Sequence, residues 1–472
     1  MSETAKPRKK FQMPNVFVIL FIMMILVTFM TYVIPSGSYE RIENESGTTV
    51  IDPDSFQFIE KTDPIGFQDF FTSIYTGVVN GISIMANVMI CSGCLALLTY
   101  SKALEGGVQK LSKLTKGKSS ITLVIFFLYF AGMNIMGAGE GCYPFFPIVT
   151  AIIVSLGYDR LVAAGTIMFA ATAGFACGMV NLFTTGVSQQ IVGLPTFSGM
   201  WYRGIVFLVL FVIGLASVLI YAARIKKDPN KSYIADDYRK QLAEQEKAKA
   251  EGQVEETPFG WKQGVTLLLF LALIFFLAYG CLNLGFGLGQ FSAYYLVFAI
   301  LVAIIFRVSP SRFCELFIQG VSQVLTAAFV IGLANSILVL LNQGSITDTL
   351  VYYMANALEG RNAIITLALI LLFVTALNFL VTSGSGKAVI MMPVLSPLGT
   401  LLGINQQVMV LTYQLGDGLT NMLWPGGGLI CCSLCGIDYG DWIKMAWKTF
   451  ACMIAAGYIL IVIANAIGYG PF

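Results

Sequence analysis

Apolar runs long enough to cross a bilayer recur along this chain, and they restrict its folding more than any other feature. Hydrocarbon about 30 Å thick needs about 20 helical residues. Runs of that kind extend from Val16 to Ile34, Ile205 to Ala223, Val265 to Leu284, Leu325 to Leu341, Ile364 to Leu380 and Phe450 to Ile467. A shorter one, Tyr294 to Phe306, reaches span length by starting nearer Phe291. Backbone N–H and C=O groups find no water at that depth, so each run must be helical. With 57% hydrophobic and 11% charged residues in 472, the chain has too little polarity for a soluble surface. The expected fold class is an all-α polytopic membrane protein.

Charge sets the expected orientation. Lys6, Arg8, Lys9 and Lys10 precede the first run, whereas Ser36 to Asp69 is dominated by Glu40, Glu43, Glu45, Asp52, Asp54, Glu60 and Asp63. The positive-inside rule therefore puts the N-terminus in the cytoplasm. Val16 to Ile34 has no small-x-small cleavage site after it and reads as a retained span. The segment from Val78 to Thr99 returns inward, being followed by Lys102, Lys110, Lys113, Lys116 and Lys118 against Glu105. A mixed-charge stretch, 224–262, reads as a cytoplasmic tether containing a solvated helix from Ala235 to Ala250. The chain thus divides into a cytoplasmic N-terminus (1–13), a first membrane repeat (14–223), the linker (224–262) and a second repeat (263–472).

The two halves match. Asn134 corresponds to Asn378, Gly139-Glu140-Gly141 to Gly384-Ser385-Gly386, Pro147 to Pro393, and Leu156-Gly157-Tyr158-Asp159 to Leu402-Gly403-Ile404-Asn405. Gly178-Met-Val-Asn181 likewise corresponds to Gly418-Leu-Thr-Asn421. Lysines precede the first copy, while Asp348, Glu359 and Arg361 precede the second, so the copies are expected to face opposite ways. Inverted repeats of this kind are built around a midplane site in alternating-access carriers.

Polar, glycine-rich islands interrupt the apolar sequence at four places. Two read as tips of re-entrant helical hairpins, 134–141 and 378–387, and two as broken helices, 181–188 and 416–428. Irregular backbone survives at membrane depth only where protein or a watery cavity satisfies it. The expected substrate-binding residues are Asn134, Gly139, Glu140, Asn181, Thr184, Thr185, Asn378, Ser383, Ser385, Lys387, Asp417 and Asn421. Glu140 is the sharpest, because an ionised carboxylate at a helix centre costs roughly 3 kcal/mol and needs a cation. That cation is either substrate or Lys387 of the opposing tip. Lys387 is otherwise placed to receive a substrate carboxylate, and Asp417 to hold an amine, proton or ion. Asp159 and Arg160 read as a solvated loop at the cytoplasmic edge. One lysine with two carboxylates suits a zwitterion carrying an extra positive charge better than a dicarboxylate.

Other functions fit less well. A net charge of +2 gives no nucleic-acid footprint. The chain has no histidine, the commonest zinc ligand and neutral-pH proton carrier, so any proton coupling falls to carboxylates. Ten cysteines lie almost wholly in apolar segments and read as packing residues, Cys431, Cys432 and Cys435 included; no metal or cofactor is expected. Ser383-Gly-Ser-Gly-Lys387 lacks Walker A spacing, against an ATP-driven pump. An intramembrane aspartyl protease requires Asp159 and Asp417 to share a proton. A passive channel requires a continuous pore.

With Met13-Pro14-Asn15, Gly157-Tyr158-Asp159, Asn181 to Pro195, Phe197-Ser198-Gly199, Ser383 to Lys387, Met392-Pro393, Gly416 to Asn421 and Pro425, the chain resembles the basic amino acid antiporter family. That family is related to the anaerobic four-carbon dicarboxylate carriers and the wider ion transporter superfamily. The resemblance covers nearly the whole chain and implies arginine/ornithine exchange or a similar antiport. It further implies a prokaryotic inner membrane, a dimer, and a scaffold part beside a transport part that carries the hairpins. A coupling ion, sodium or proton, and a dicarboxylate or uncharged amino acid as substrate all stay open.

Overall fold

The computed structural model describes residues 16–43, 49–52, 54–60, 65–104, 106–107, 119–137, 139–250, 259–284, 286–358 and 360–470. The basic N-terminus at 1–13, Met13-Pro14-Asn15, most of the lysine-rich loop, Glu45, Asp63, Glu105 and Glu359 lie outside the described residues.

The first half carries α1 (Val16–Val33), α2 (Phe67–Tyr100), α3 (Ser120–Ile135), α4 (Phe145–Ser155), α5 (Arg160–Cys177), α6 (Val187–Ile191) and α7 (Met200–Lys227). The linker contributes α8 (Ala235–Ala250). The second half begins with α9 (Trp261–Asn283), α10 (Leu288–Phe306), α11 (Pro310–Gln343) and α12 (Thr347–Leu358). It ends with α13 (Ala363–Leu380), α14 (Gly384–Leu401), α15 (Gln406–Thr420), α16 (Ile430–Cys435) and α17 (Tyr439–Ala466). Among the described residues, seven helices are long and apolar enough to cross a membrane. Among the described residues, strands are confined to two small antiparallel ribbons in the loop after α1, β1 (Gly37–Ser38) with β4 (Gln57–Phe58) and β2 (Arg41–Glu43) with β3 (Thr49–Ile51).

Local chemistry explains where several helices start and stop. Asp159 accepts from the Val162 amide at 2.8 Å to cap α5, and Asn405, its counterpart, accepts from the Gln407 amide at 2.9 Å to cap α15. Gly178 ends α5 in the left-handed region at φ 61°, as Gly436 ends α16 at φ 64°.

Corresponding helices of the two halves pack antiparallel, which makes the repeat an inverted one. α2 and α11 have 34 residues each. Gly77 lies against Ser336, Gly81 against Gly332, and the Gly320 carbonyl accepts from Ser92 Oγ at 3.0 Å, so residue numbers rise along one helix as they fall along the other. Small residues let the backbones approach this closely. The 28-residue helices α7 and α17 repeat the pattern: Tyr202 Oη donates to the Leu460 carbonyl at 2.6 Å, and Gly214 lies near Met453.

Three features differ from expectation. α15 runs through Gly416 and Gly418 to Thr420, so the second break falls at 421–424 and not at 416. These glycines serve close helix packing: a Cβ on Gly418 would meet Ala176 Cα at 2.5 Å, and one on Gly416 Val374 Cβ at 2.7 Å. Asp159 is fully buried, holding Tyr221 and Ser232 hydroxyls at 2.7 Å each, because the linker folds back over it. α8 is docked as well: Tyr238 Oη donates to the Gly157 carbonyl at 2.8 Å, and Gln241 and Gln245 Nε2 donate to the Tyr158 and Val154 carbonyls at 2.9 Å.

Candidate functional site

Both interruptions of α5–α6 and α15–α16 and both turns, α3–α4 and α13–α14, converge on one cavity of about 280 Å³. Tip one supplies Asn134, Gly137, Gly139 and Glu140, and tip two Thr382, Ser383, Gly384 and Ser385. Thr184 comes from the first break, and Asn421, Gly426 and Gly427 from the second. α5 contributes the face Met168, Ala171, Thr172 and Phe175.

Of the twelve expected residues, Asn134, Gly139, Glu140, Thr184, Ser383, Ser385 and Asn421 line the cavity. Glu140 is exposed within it. The other five stand behind the wall. Asn181 is buried and its Oδ1 accepts from the Thr184 amide at 3.3 Å, while Thr185 Oγ1 donates to Gln414 Oε1 at 3.2 Å. Asn378 donates through Nδ2 to the Asp417 carbonyl at 2.8 Å, Thr420 Oγ1 at 2.6 Å and Asn421 Oδ1 at 3.0 Å.

Lys387 pairs with Asp417, Nζ to Oδ1 at 2.6 Å, and both side chains are almost completely buried. A Glu140–Lys387 pair, one of the two arrangements left open from sequence, is therefore not formed here. Nζ also donates to the Val381 carbonyl at 2.7 Å and to Asn378 Oδ1. This pairing occupies two of the three charged groups expected to meet a substrate. Glu140 is then the one charged side chain, among the described lining residues, that faces the cavity.

The second tip offers donors to the same cavity. Ser383 caps α14 through the Gly386 amide at 3.2 Å, which leaves the Gly384 and Ser385 N–H groups in the first turn without intrahelical acceptors. These amides sit at the positive end of an 18-residue helix. Gly384 is required there by space: a Cβ would meet Thr184 Cγ2 at 2.5 Å and Asp417 Oδ2 at 3.0 Å. Thr172 and Thr184 hydroxyls are buried and have no hydrogen-bond partner among the described residues, so both are open to a ligand.

Reasoning from sequence missed Tyr143, Phe146, Thr382 and the α5 face. The α5 signal was present as spacing: Met168, Ala171, Thr172 and Phe175 fall at i, i+3, i+4 and i+7, one helical face with a hydroxyl in it. Asp159 and Asp417 do not form a catalytic dyad. Asp417 neighbours Gly418, which packs on Ala176, and Asp159 lies 17 residues before Ala176 on α5, about 25 Å at 1.5 Å per residue.

Residues 13–466 match the model of the DcuC family, the C4-dicarboxylate anaerobic carriers. The chain belongs to this family. It is accordingly a multi-pass membrane transporter of the DcuC kind. It is 27% identical over 505 residues to a protein of Escherichia coli K12 named "Putative basic amino acid antiporter YfcC", covering 98% of this chain and 99% of that one. An uncharacterized protein of Haemophilus influenzae is 26% identical over 504 residues, with 98% of both chains covered. Two solved structures are also similar at 16% identity: Neisseria gonorrhoeae MtrF, described as illuminating a class of antimetabolite efflux pumps (TM-score 0.39, 96% of each chain), and the Alcanivorax borkumensis YdaH transporter (TM-score 0.41, 97% of this chain and 100% of that one).

Proposed function

We propose that this chain is a secondary active transporter that works by alternating access and exchanges basic amino acids of the arginine/ornithine kind. Its setting in this proposal is a prokaryotic inner membrane, with the N-terminus cytoplasmic, the C-terminus outside and a homodimeric assembly. The observation that carries the substrate class is the polarity of the cavity: the Glu140 carboxylate on the wall from the first tip, and the first turn of α14 with its free amides on the wall from the second. A zwitterion with a cationic side chain satisfies both walls, carboxylate to α14 and cation to Glu140. The volume, near the lower end of the roughly 300–1,000 Å³ of small-molecule pockets, favours a solute of amino-acid size. The name of the Escherichia coli relative points the same way.

A C4-dicarboxylate is the second reading, favoured by the family's description and by the α14 amides. Glu140 opposes it, since the second carboxylate would face a like charge.

Counterflow in proteoliposomes separates these. Preloaded arginine or ornithine should accelerate uptake of labelled arginine, and succinate should not. Truncating one partner of a desolvated charge pair costs roughly 2–5 kcal/mol, so Glu140→Gln should lower exchange at least about 30-fold with folding intact. Succinate counterflow that survives Glu140→Gln would establish the dicarboxylate reading instead. Uptake indifferent to preloading would indicate a channel. Multi-angle light scattering in detergent tests the dimer.

A further inference from the structure

We propose that the Lys387 ammonium is the resident occupant of a monovalent-cation subsite between the second hairpin and the second broken helix, so that exchange needs no sodium ion. The transport consequence rests on the carrier reading above, whereas the subsite itself does not.

Three oxygens converge on Nζ from two elements, α15 and the end of α13. Asp417 Oδ1 on α15 lies at 2.6 Å, the Val381 carbonyl just after α13 at 2.7 Å, and Asn378 Oδ1 near the end of α13 completes the set. One carboxylate, one helix-end carbonyl and one amide oxygen form an oxygen-only set of the kind that hard cations take. The carbonyl comes from the negative end of a helix. In carriers built from broken helices, such carbonyls and helix ends hold the coupling ion.

The cage is fixed from behind. Asn378 spends its amide hydrogens on the Asp417 carbonyl, Thr420 and Asn421, which leaves Oδ1 as the atom facing Nζ. Asn421 lines the substrate cavity, so the cage and the substrate wall share a hydrogen-bonded residue.

The fold does not demand an ion pair at this junction. In the motif alignment of the two halves, Lys387 corresponds to Cys142 and Asp417 to Cys177, both buried and neutral. The first half thus carries two buried thiols at the positions where the second has an ion pair. A buried ion pair is expensive and often no more stabilising than apolar packing. Its presence in one half alone, wrapped in oxygens beside the cavity, is accounted for by a cation requirement that the chain meets with its own side chain.

The test uses the purified full-length chain in detergent and in proteoliposomes, with sodium, potassium or choline chloride at equal ionic strength. The wild-type melting temperature and arginine counterflow should be the same in all three salts. Lys387→Ala should gain a saturable upward shift in melting temperature with sodium or potassium, because a ligand bound only by the folded state stabilises it. Its exchange should be low in choline and recover about tenfold or more with the alkali ion, equivalent to 1.4 kcal/mol. Adding Asp417→Asn to Lys387→Ala removes the cage carboxylate, relieves the unpaired buried charge and should erase the salt response. A wild-type carrier driven by a sodium gradient would overturn the proposal. So would a Lys387→Ala protein whose melting is indifferent to both ions, or a response that persists in the double variant. If no amino acid supports counterflow, the substrate reading fails, and the melting titration still decides the subsite.

Discussion

Lys387 and Asp417 neutralise each other at 2.6 Å with almost no exposure, which places a large and specific cost on separating them. Asp417→Asn leaves a buried ammonium without its counter-charge and should destabilise the protein by about 3–5 kcal/mol. Replacing both, Lys387→Met with Asp417→Leu, should restore most of the lost stability in detergent while leaving transport impaired. Recovery of neither stability nor expression in the double variant would show that the pair contributes more than mutual compensation. Asp159 is a different kind of buried carboxylate. Burial pushes its carboxyl above the ordinary value, and the bonds from Ser232, Val162 and Tyr221 pull it back only in part. A folded-state pKa above the unfolded one penalises the ionised form. That penalty is absent below the ordinary carboxylate pKa, grows as pH rises to the folded pKa, and stays constant above it. Asp159→Asn retains a cap of the type Asn405 provides and removes the titration. The stability of wild type relative to Asp159→Asn should therefore fall as pH rises through the acid range, measured by thermal unfolding; the opposite slope would contradict this account.

At the scale of elements, the antiparallel seam between α2 and α11 depends on residues without side chains. A Cβ on Gly320 would meet the Ser92 carbonyl at 2.5 Å and Gly93 Cα at 2.9 Å, both backbone atoms that cannot rotate away. Gly320→Val should separate the two longest helices and lower the yield of folded protein, measured by fluorescence size exclusion; a normal, monodisperse peak would show that the seam can open without penalty. The linker helix α8 is attached by polar bonds to the turn between α4 and α5, the far end of the first hairpin. At about 1 kcal/mol per hydrogen bond, Gln241→Ala with Gln245→Ala should free α8 and hasten protease cleavage within it, leaving the rest of the chain intact. Unchanged cleavage would assign the attachment to Tyr238 and the Asp159 cluster. From sequence, α8 read as a solvated tether because its charges are alternating; the glutamines and tyrosine that dock it are too few to alter that pattern.

For the whole molecule, the inverted arrangement requires the two 28-residue helices α7 and α17 to run in opposite directions, as their contacts show. The proposed cytoplasmic end for α7 would then put the C-terminus on the outer side, so cysteine labelling of a C-terminal tag should occur from outside; labelling only after permeabilisation would overturn the proposed orientation. The apolar runs, the duplicated motifs and the four polar islands were legible from sequence, because a membrane enforces helices where residues are apolar and demands a reason wherever they are not. Glu140 was legible for the same reason, as a carboxylate inside an apolar stretch. The partner of Lys387 was not, since pairing depends on how the second hairpin docks against α15, and no local pattern records that. The roles of Gly416 and Gly418 were hidden likewise: glycine marks both a break and a close approach, and only the neighbouring helices at Val374 and Ala176 distinguish the two. Sequence alone determined that this chain spans a membrane as two opposed copies with irregular backbone at their centres. Tertiary structure decided which charges face the cavity and which cancel inside the wall, because burial and pairing are properties of contacts between segments far apart in the chain.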